Sequence, residues 1–177
     1  MNKKEKLEEA TIKALLGKLT EDNQLDKNIE SKLDEIYKNL VDEIKRTFPD
    51  AVIEDKDWKN QGYKYVTSIK TPSINIKEGV YRYILINIFY NVPSFPTYSY
   101  YLGADAEIVE SSSNETSVAG LKSSGYKIKN EIPNCKISIK AYAGKDIQDK
   151  GQSVTDFVKT INNSYDNLTN HNIKKFI

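Results

Sequence analysis

The chain has 177 residues, 38% of them apolar and 29% charged, with a formal net charge of +1. That length supports one domain with a real core, and the periodic clustering of its apolar residues excludes global disorder. A net charge this small supplies no overall field to attract nucleic acid or acidic partners.

The first part, residues 1–48, reads as helical. Residues 3–19 predict a short helix with Leu7, Leu15, Leu16 and Leu19 on its apolar face and Gly17 weakening its end. Residues 22–48 predict a second one. Leu25, Ile29, Leu33, Ile36, Tyr37, Leu40, Val41, Ile44 and Phe48 recur at three- and four-residue spacing, with Asp22 as a candidate cap and Pro49 as the stop.

From residue 51 the period becomes two. Segments 51–54, 63–70, 74–77, 80–91, 106–110, 126–129 and 136–143 are strand candidates. Turn signals separate several of them at 60–62, 71–73, 78–79 and 93–96. Val80–Tyr90 is apolar on both faces, which places it centrally. Ser111–Ser124 is serine- and glycine-rich without an apolar period, and reads as a loop. After Gly151 the helical period returns. Ser153 can cap this helix with Asp156 three residues on, and Val154, Phe157, Val158, Ile161, Tyr165 and Leu168 form its face; residues 170–177 are a tail. No internal repeat is visible. Strands grouped between terminal helices predict a single α+β domain, with two N-terminal helices and one C-terminal helix on a largely antiparallel sheet of five to seven strands. Alternating βαβ units are absent, which argues against a Rossmann-type dinucleotide site.

The sole cysteine, Cys135, rules out an intramolecular disulfide and points to a reducing compartment. The N-terminal residues resemble neither a signal nor a transit peptide. The longest apolar run, 80–90, is too short to span a bilayer. A cytoplasmic protein without membrane contact is the expectation. Lysine, asparagine, isoleucine and tyrosine make up 72 of the 177 residues, against two arginines. AT-rich codons favour these residues, which suggests a low-GC bacterium or phage.

Chemistry-bearing motifs are few. His171, the only histidine, sits in the asparagine-rich tail, so a His/Cys zinc site cannot be assembled within one chain. Ala143-Gly144-Lys145-Asp146 lacks the upstream glycine and the Ser/Thr of a phosphate-binding loop. Val52-Ile53-Glu54-Asp55-Lys56 resembles the metal-binding half of restriction-endonuclease-like nucleases. That resemblance implies that Glu54 binds Mg²⁺ and Lys56 positions the attacking water. It also requires an aspartate at the end of a preceding strand. Upstream lie only Asp50, four residues away, and Asp42 and Asp34 on the predicted helix. A solvated charged turn is the plainer reading.

Charge is unevenly distributed. Residues 104–117 carry Asp105, Glu107, Glu110 and Glu115 without a base, whereas residues 121–140 carry five lysines against Glu131 alone. These neighbouring blocks either neutralise each other or form separate patches. A hairpin turning at Asn130–Asn134 would line one face with Lys127, Lys129, Lys136 and Lys140, a track for a phosphate backbone. The absence of arginine there favours an ordinary polar sheet face instead.

Eight of the twelve tyrosines fall between Tyr63 and Tyr101. Those up to Tyr90 follow strand alternation and read as sheet framework. Tyr98, Tyr100 and Tyr101 follow a two-proline loop and, with Trp58, are the candidate anchors for a partner. The leading expectation is a non-enzymatic binding protein, such as an inhibitor or immunity-like factor, that needs no cofactor and acts on another protein. The alternative is a nucleic-acid-binding protein or Mg²⁺-dependent nuclease. A third reading is a small-molecule cup lined by tyrosines.

Overall fold

The computed structural model describes residues 3–56, 62–93, 98–112 and 127–173, and the backbone alone at 3–9, 20, 127–129 and 171–173. The domain is α+β, as the changing period predicts. The N-terminal part, however, is one helix, α1 (Lys3–Thr47), where two are expected, so there are two helices rather than three. Nothing in residues 17–22 is strong enough to break it. An internal glycine costs only about 1 kcal/mol, and Asp22 sits inside the helix rather than capping one. Pro49 is the first proline, and the helix stops just before it.

Seven strands follow: β1 (Val52–Lys56), β2 (Tyr63–Lys70), β3 (Ile74–Lys77), β4 (Val80–Asn91), β5 (Ser99–Ser111), β6 (Lys127–Tyr142) and β7 (Gln148–Asp149). They form one antiparallel meander in the order β1-β2-β4-β5-β6-β7, with β3 also on β4. β2 and β3 lie end to end along the same side of β4. Pro72 cannot donate to the ladder, and Thr71 bridges the break. Its N–H donates to the Ile84 carbonyl at 3.0 Å, and its hydroxyl accepts from the Ile84 N–H at 2.9 Å.

Two strand expectations need correction. β5 begins at Ser99 rather than Ala106, because Ser99 to Tyr101 already pair in the sheet. The hairpin expected around Asn130–Asn134 is instead the single strand β6. Its register jumps from Asp105↔Lys136 to Glu107↔Glu131, so four residues, 132–135, bulge out opposite Ala106 alone. Pro133 has no N–H for the ladder, and Asn134 adopts a φ of 56°. The bulge turns Ile132 and Cys135 into the core, both at least nine-tenths buried. Their burial offsets the broken ladder.

The second helix, α2 (Val154–Ile173), starts where predicted and runs on into the expected tail. The Ser153 hydroxyl accepts from the Asp156 N–H at 3.2 Å and donates to its carboxylate at 2.8 Å, closing the cap.

One face of the sheet meets both helices. Ile84, Ile86, Ile88 and Tyr90 of β4, Leu102 and Ala104 of β5, and Ile137 and Ile139 of β6 pack with Leu33, Leu40 and Ile44 of α1 and Phe157 and Ile161 of α2. The opposite face holds a small cluster of Tyr83, Leu85 and Val109. β4 is thus buried on both faces, as its sequence predicts.

Candidate partner-binding end of the sheet

The connections β1–β2, β4–β5 and β6–β7 all leave the sheet at one end. There Tyr63 pairs with Asn91, Asn91 with Tyr101, and Ser99 with Tyr142. α1 crosses the sheet from this end. The Lys64 ammonium donates to Glu30 at 2.7 Å and Asp34 at 2.8 Å. The Tyr90 hydroxyl donates to the Glu30 carbonyl at 3.3 Å. Tyr65 stacks on Tyr37 with centroids 4.5 Å apart, and the Tyr37 hydroxyl meets Thr67 Oγ1 at 2.8 Å. Burial pushes the Tyr37 phenol above its usual range, and the charge of Asp55 adds to this; the Tyr90 phenol rises more, again chiefly through burial. Both phenols therefore stay protonated and hold the helix in place.

The β6–β7 turn clips α1 to the sheet. Gly144 adopts a φ of 69°, a conformation open mainly to glycine, and its N–H donates to Asp26 Oδ1 at 2.9 Å. Upstream of this clip α1 outruns the sheet. At about 1.5 Å per residue its 45 residues span about 68 Å, while the 12 residues of β4 span about 40 Å. The arm so formed is exposed at every residue described from Ala10 to Leu19.

All the large apolar side chains exposed among the described residues gather at this end. They are Ile12, Leu15, Leu16 and Leu19 on the arm, 56–58% exposed, and Tyr98 and Tyr142 on the sheet, 61% and 47% exposed. The arm positions continue the core spacing. Ile12, Leu15, Leu19, Asp22, Asp26, Ile29, Leu33, Ile36 and Leu40 alternate steps of three and four. The two aspartates fall where the helix meets the turn rather than the apolar core.

Of the tyrosines singled out by the sequence, Tyr98 is exposed, Tyr101 half-buried and Tyr100 buried. The Tyr101 ring lies so close over Gly103 that a Cβ there would collide with it. Burial raises the Tyr100 phenol, with Asp26 and Glu30 adding to the shift. Trp58 lies outside the described residues. Tyr142, which no sequence motif marks, is next to Tyr98 in the backbone ladder: the Ala143 N–H donates to the Tyr98 carbonyl at 3.2 Å, and the Lys140 ammonium sits 5.0 Å from the Tyr142 ring centroid. Its one sequence signal was an aromatic residue at the end of a strand.

The remaining candidates are dispersed. Glu54 and Lys56 share a face of β1, opposite Ser68 and Val66. β1 is the first strand among the described residues, so the aspartate-bearing strand that the nuclease resemblance requires has no counterpart there. Among the described residues no three His, Cys, Asp or Glu side chains are grouped to hold a metal ion. Lys127, Lys129, Lys136 and Lys140 are strung along β6 rather than paired across a hairpin. The acidic and basic blocks lie on adjacent strands, with Asp105 opposite Lys136 and Glu110 opposite Lys127. Glu110 also binds Arg82. Inside the sheet Asp105 is answered by Lys136 and Glu110 by Arg82, while Glu107 lies opposite Glu131.

Beside the β6 bulge is a cavity of about 800 Å³, whose walls include Asn87, Asp105, Glu107, Glu131, Lys136 and Gln152. It is polar rather than tyrosine-lined. Partial burial raises the carboxyl pKa of both Asp105 and Glu107, opposed at Asp105 by the Asn87 hydrogen bond and Lys136, and reinforced at Glu107 by Asp105 and Glu131. The expected Ser111–Ser124 loop falls almost wholly outside the described residues, as does Tyr126. No helix among the described residues is long and apolar enough to cross a membrane. The chain matches no known family model, no curated protein and no solved structure.

Proposed function

We propose that this chain is a non-enzymatic binding protein that engages another protein through the sheet end bearing Tyr98 and Tyr142. One observation carries the reading: among the described residues the large exposed apolar side chains collect at a single end instead of scattering. Scattered exposed apolar residues are ordinary, whereas gathered ones mark contact surfaces. The two tyrosines are held by a paired strand end and a clipped turn, so binding would order little. Tyrosine suits such a role because its ring offers large area at low entropic cost. The composition fits an inhibitor or immunity-like factor of a low-GC bacterium or phage acting in the cytoplasm.

The test is capture from a source-cell lysate with immobilised protein, compared between wild type and Tyr98→Asp/Tyr142→Asp. The expected outcome is a protein retained by wild type and depleted at least tenfold with the double variant, which corresponds to about 1.4 kcal/mol. Equal retention by both would refute the tyrosine end as the contact.

A further inference from the structure

We propose that Glu107 and Glu131, directly opposed beside the β6 bulge, form a proton-operated latch between β5 and β6. When both are charged they push that stretch of the ladder apart; one shared proton draws it closed. The inference goes beyond the tyrosine-end reading and does not depend on it.

The latch sits where the ladder is weakest. Glu107 and Glu131 are partners in the register, so their side chains stand on one face of the sheet with Cβ atoms about 5 Å apart. The register shifts between Asp105 and Glu107, at the bulge, and again between Ile108 and Val109. Only two pairs lie between these shifts, Glu107↔Glu131 and Ile108↔Asn130. A piece this short can open without melting the strands on either side of it.

No base neutralises the two carboxylates. Neither glutamate belongs to an ion pair among the described residues. On β5 the next residue along the same face is Asp105, with Lys136 opposite it on β6; on β4 the neighbour of Glu107 is Leu85. Lys150 is the other base on the cavity wall. Lys136 opposes the rise of the Asp105 carboxyl. At Glu107 burial raises the carboxyl, and the charges of Asp105 and Glu131 both add to it. Like charges in direct register are destabilising. The register that imposes them is held by the burial of Ile132 and Cys135.

Protonation reverses the sign of the contact. One carboxylic O–H then donates to the facing carboxylate, a strong charge-assisted bond. Because the Glu107 carboxyl is raised in the folded chain, the stability it adds is fully present below its unfolded pKa. That stability is lost as pH rises through the folded one.

Amide exchange of the full chain tests the latch, read as protection factors so that the intrinsic pH dependence of exchange drops out. From about pH 7.5 to about pH 5, protection at the ladder amides of Glu107, Ile108, Asn130 and Glu131 is expected to rise about two- to fivefold, the factor that a cross-strand charge pair is worth. Leu102 and Ile139, paired beyond the bulge, are expected to stay constant. Glu107→Gln and Glu131→Gln each remove one charge and leave an amide that can donate to the remaining carboxylate. Both are expected to show the high protection already at neutral pH, with no further rise. Glu110→Gln, whose carboxylate partner is Arg82, is expected to keep the wild-type rise. Flat protection in wild type, a rise that persists in either latch variant, or an equal rise along all of β5 would each overturn the proposal.

Discussion

The two halves of α1 share one apolar spacing and meet opposite fates. Leu33, Leu40 and Ile44 are fully buried against the sheet, while Leu15, Leu16 and Leu19 stand more than half in water. Periodicity tells which side of a helix is apolar; it does not tell what that side meets. The division falls at Asp22 and Asp26, where the stripe turns polar and a backbone N–H replaces a side chain as the neighbour. The body half is held by packing on the sheet, whereas the arm is exposed at every residue described from Ala10 to Leu19.

The contrast can be broken most forcefully at Leu33. Leu33→Ala should cost about 2–5 kcal/mol of global stability in denaturant unfolding, whereas Leu16→Ala should change it by less than about 0.5 kcal/mol. Equal costs would mean that the arm belongs to the same cooperative unit as the body. A smaller effect is expected at the clip. Asp26→Ala leaves the Gly144 N–H without its acceptor and should cost about 1 kcal/mol, with faster amide exchange at Gly144 as the local readout. The smallest global change is expected at Gly17. Gly17→Ala should strengthen the arm by up to about 1 kcal/mol, read as slower amide exchange from Ala10 to Leu19 with little movement of the melting temperature.

The sequence made much of the sheet legible. Tyr63–Lys70 and Ile74–Lys77 alternate between turn signals, Val80–Asn91 is apolar on both faces, and all three are strands over those same residues. The cap at Ser153 was readable because its partner, Asp156, is local. The misreadings arose where a local signal was outweighed. Asp22 looks like a cap, but helical residues on both sides carry α1 through it. Pro133 looks like a hairpin tip, but burying Ile132 and Cys135 keeps β6 in one piece around a bulge. Among the candidate anchors, the sequence treats Tyr98, Tyr100 and Tyr101 as one group following the two-proline loop. Tyr98 precedes β5, so alternation does not govern it, and only Tyr100 turns inward. Tyr142 went unread because its exposure depends on the β6–β7 turn, whose partner on α1 lies 118 residues away.

The bulge at Ile132–Cys135 also shapes how the sheet ends. β7 pairs with β6 at Ile139 and Lys140, and the chain beyond β7 continues the bonding as far back as Lys136. A strand edge is a template on which another chain can add itself. Where that cover stops, the ladder gives way to a proline without a donor and an asparagine in the left-handed region. No straight run of backbone donors is left there for an incoming strand. The kink that wastes four residues of pairing also interrupts this edge of the sheet as a template for another strand; β1 forms the opposite edge.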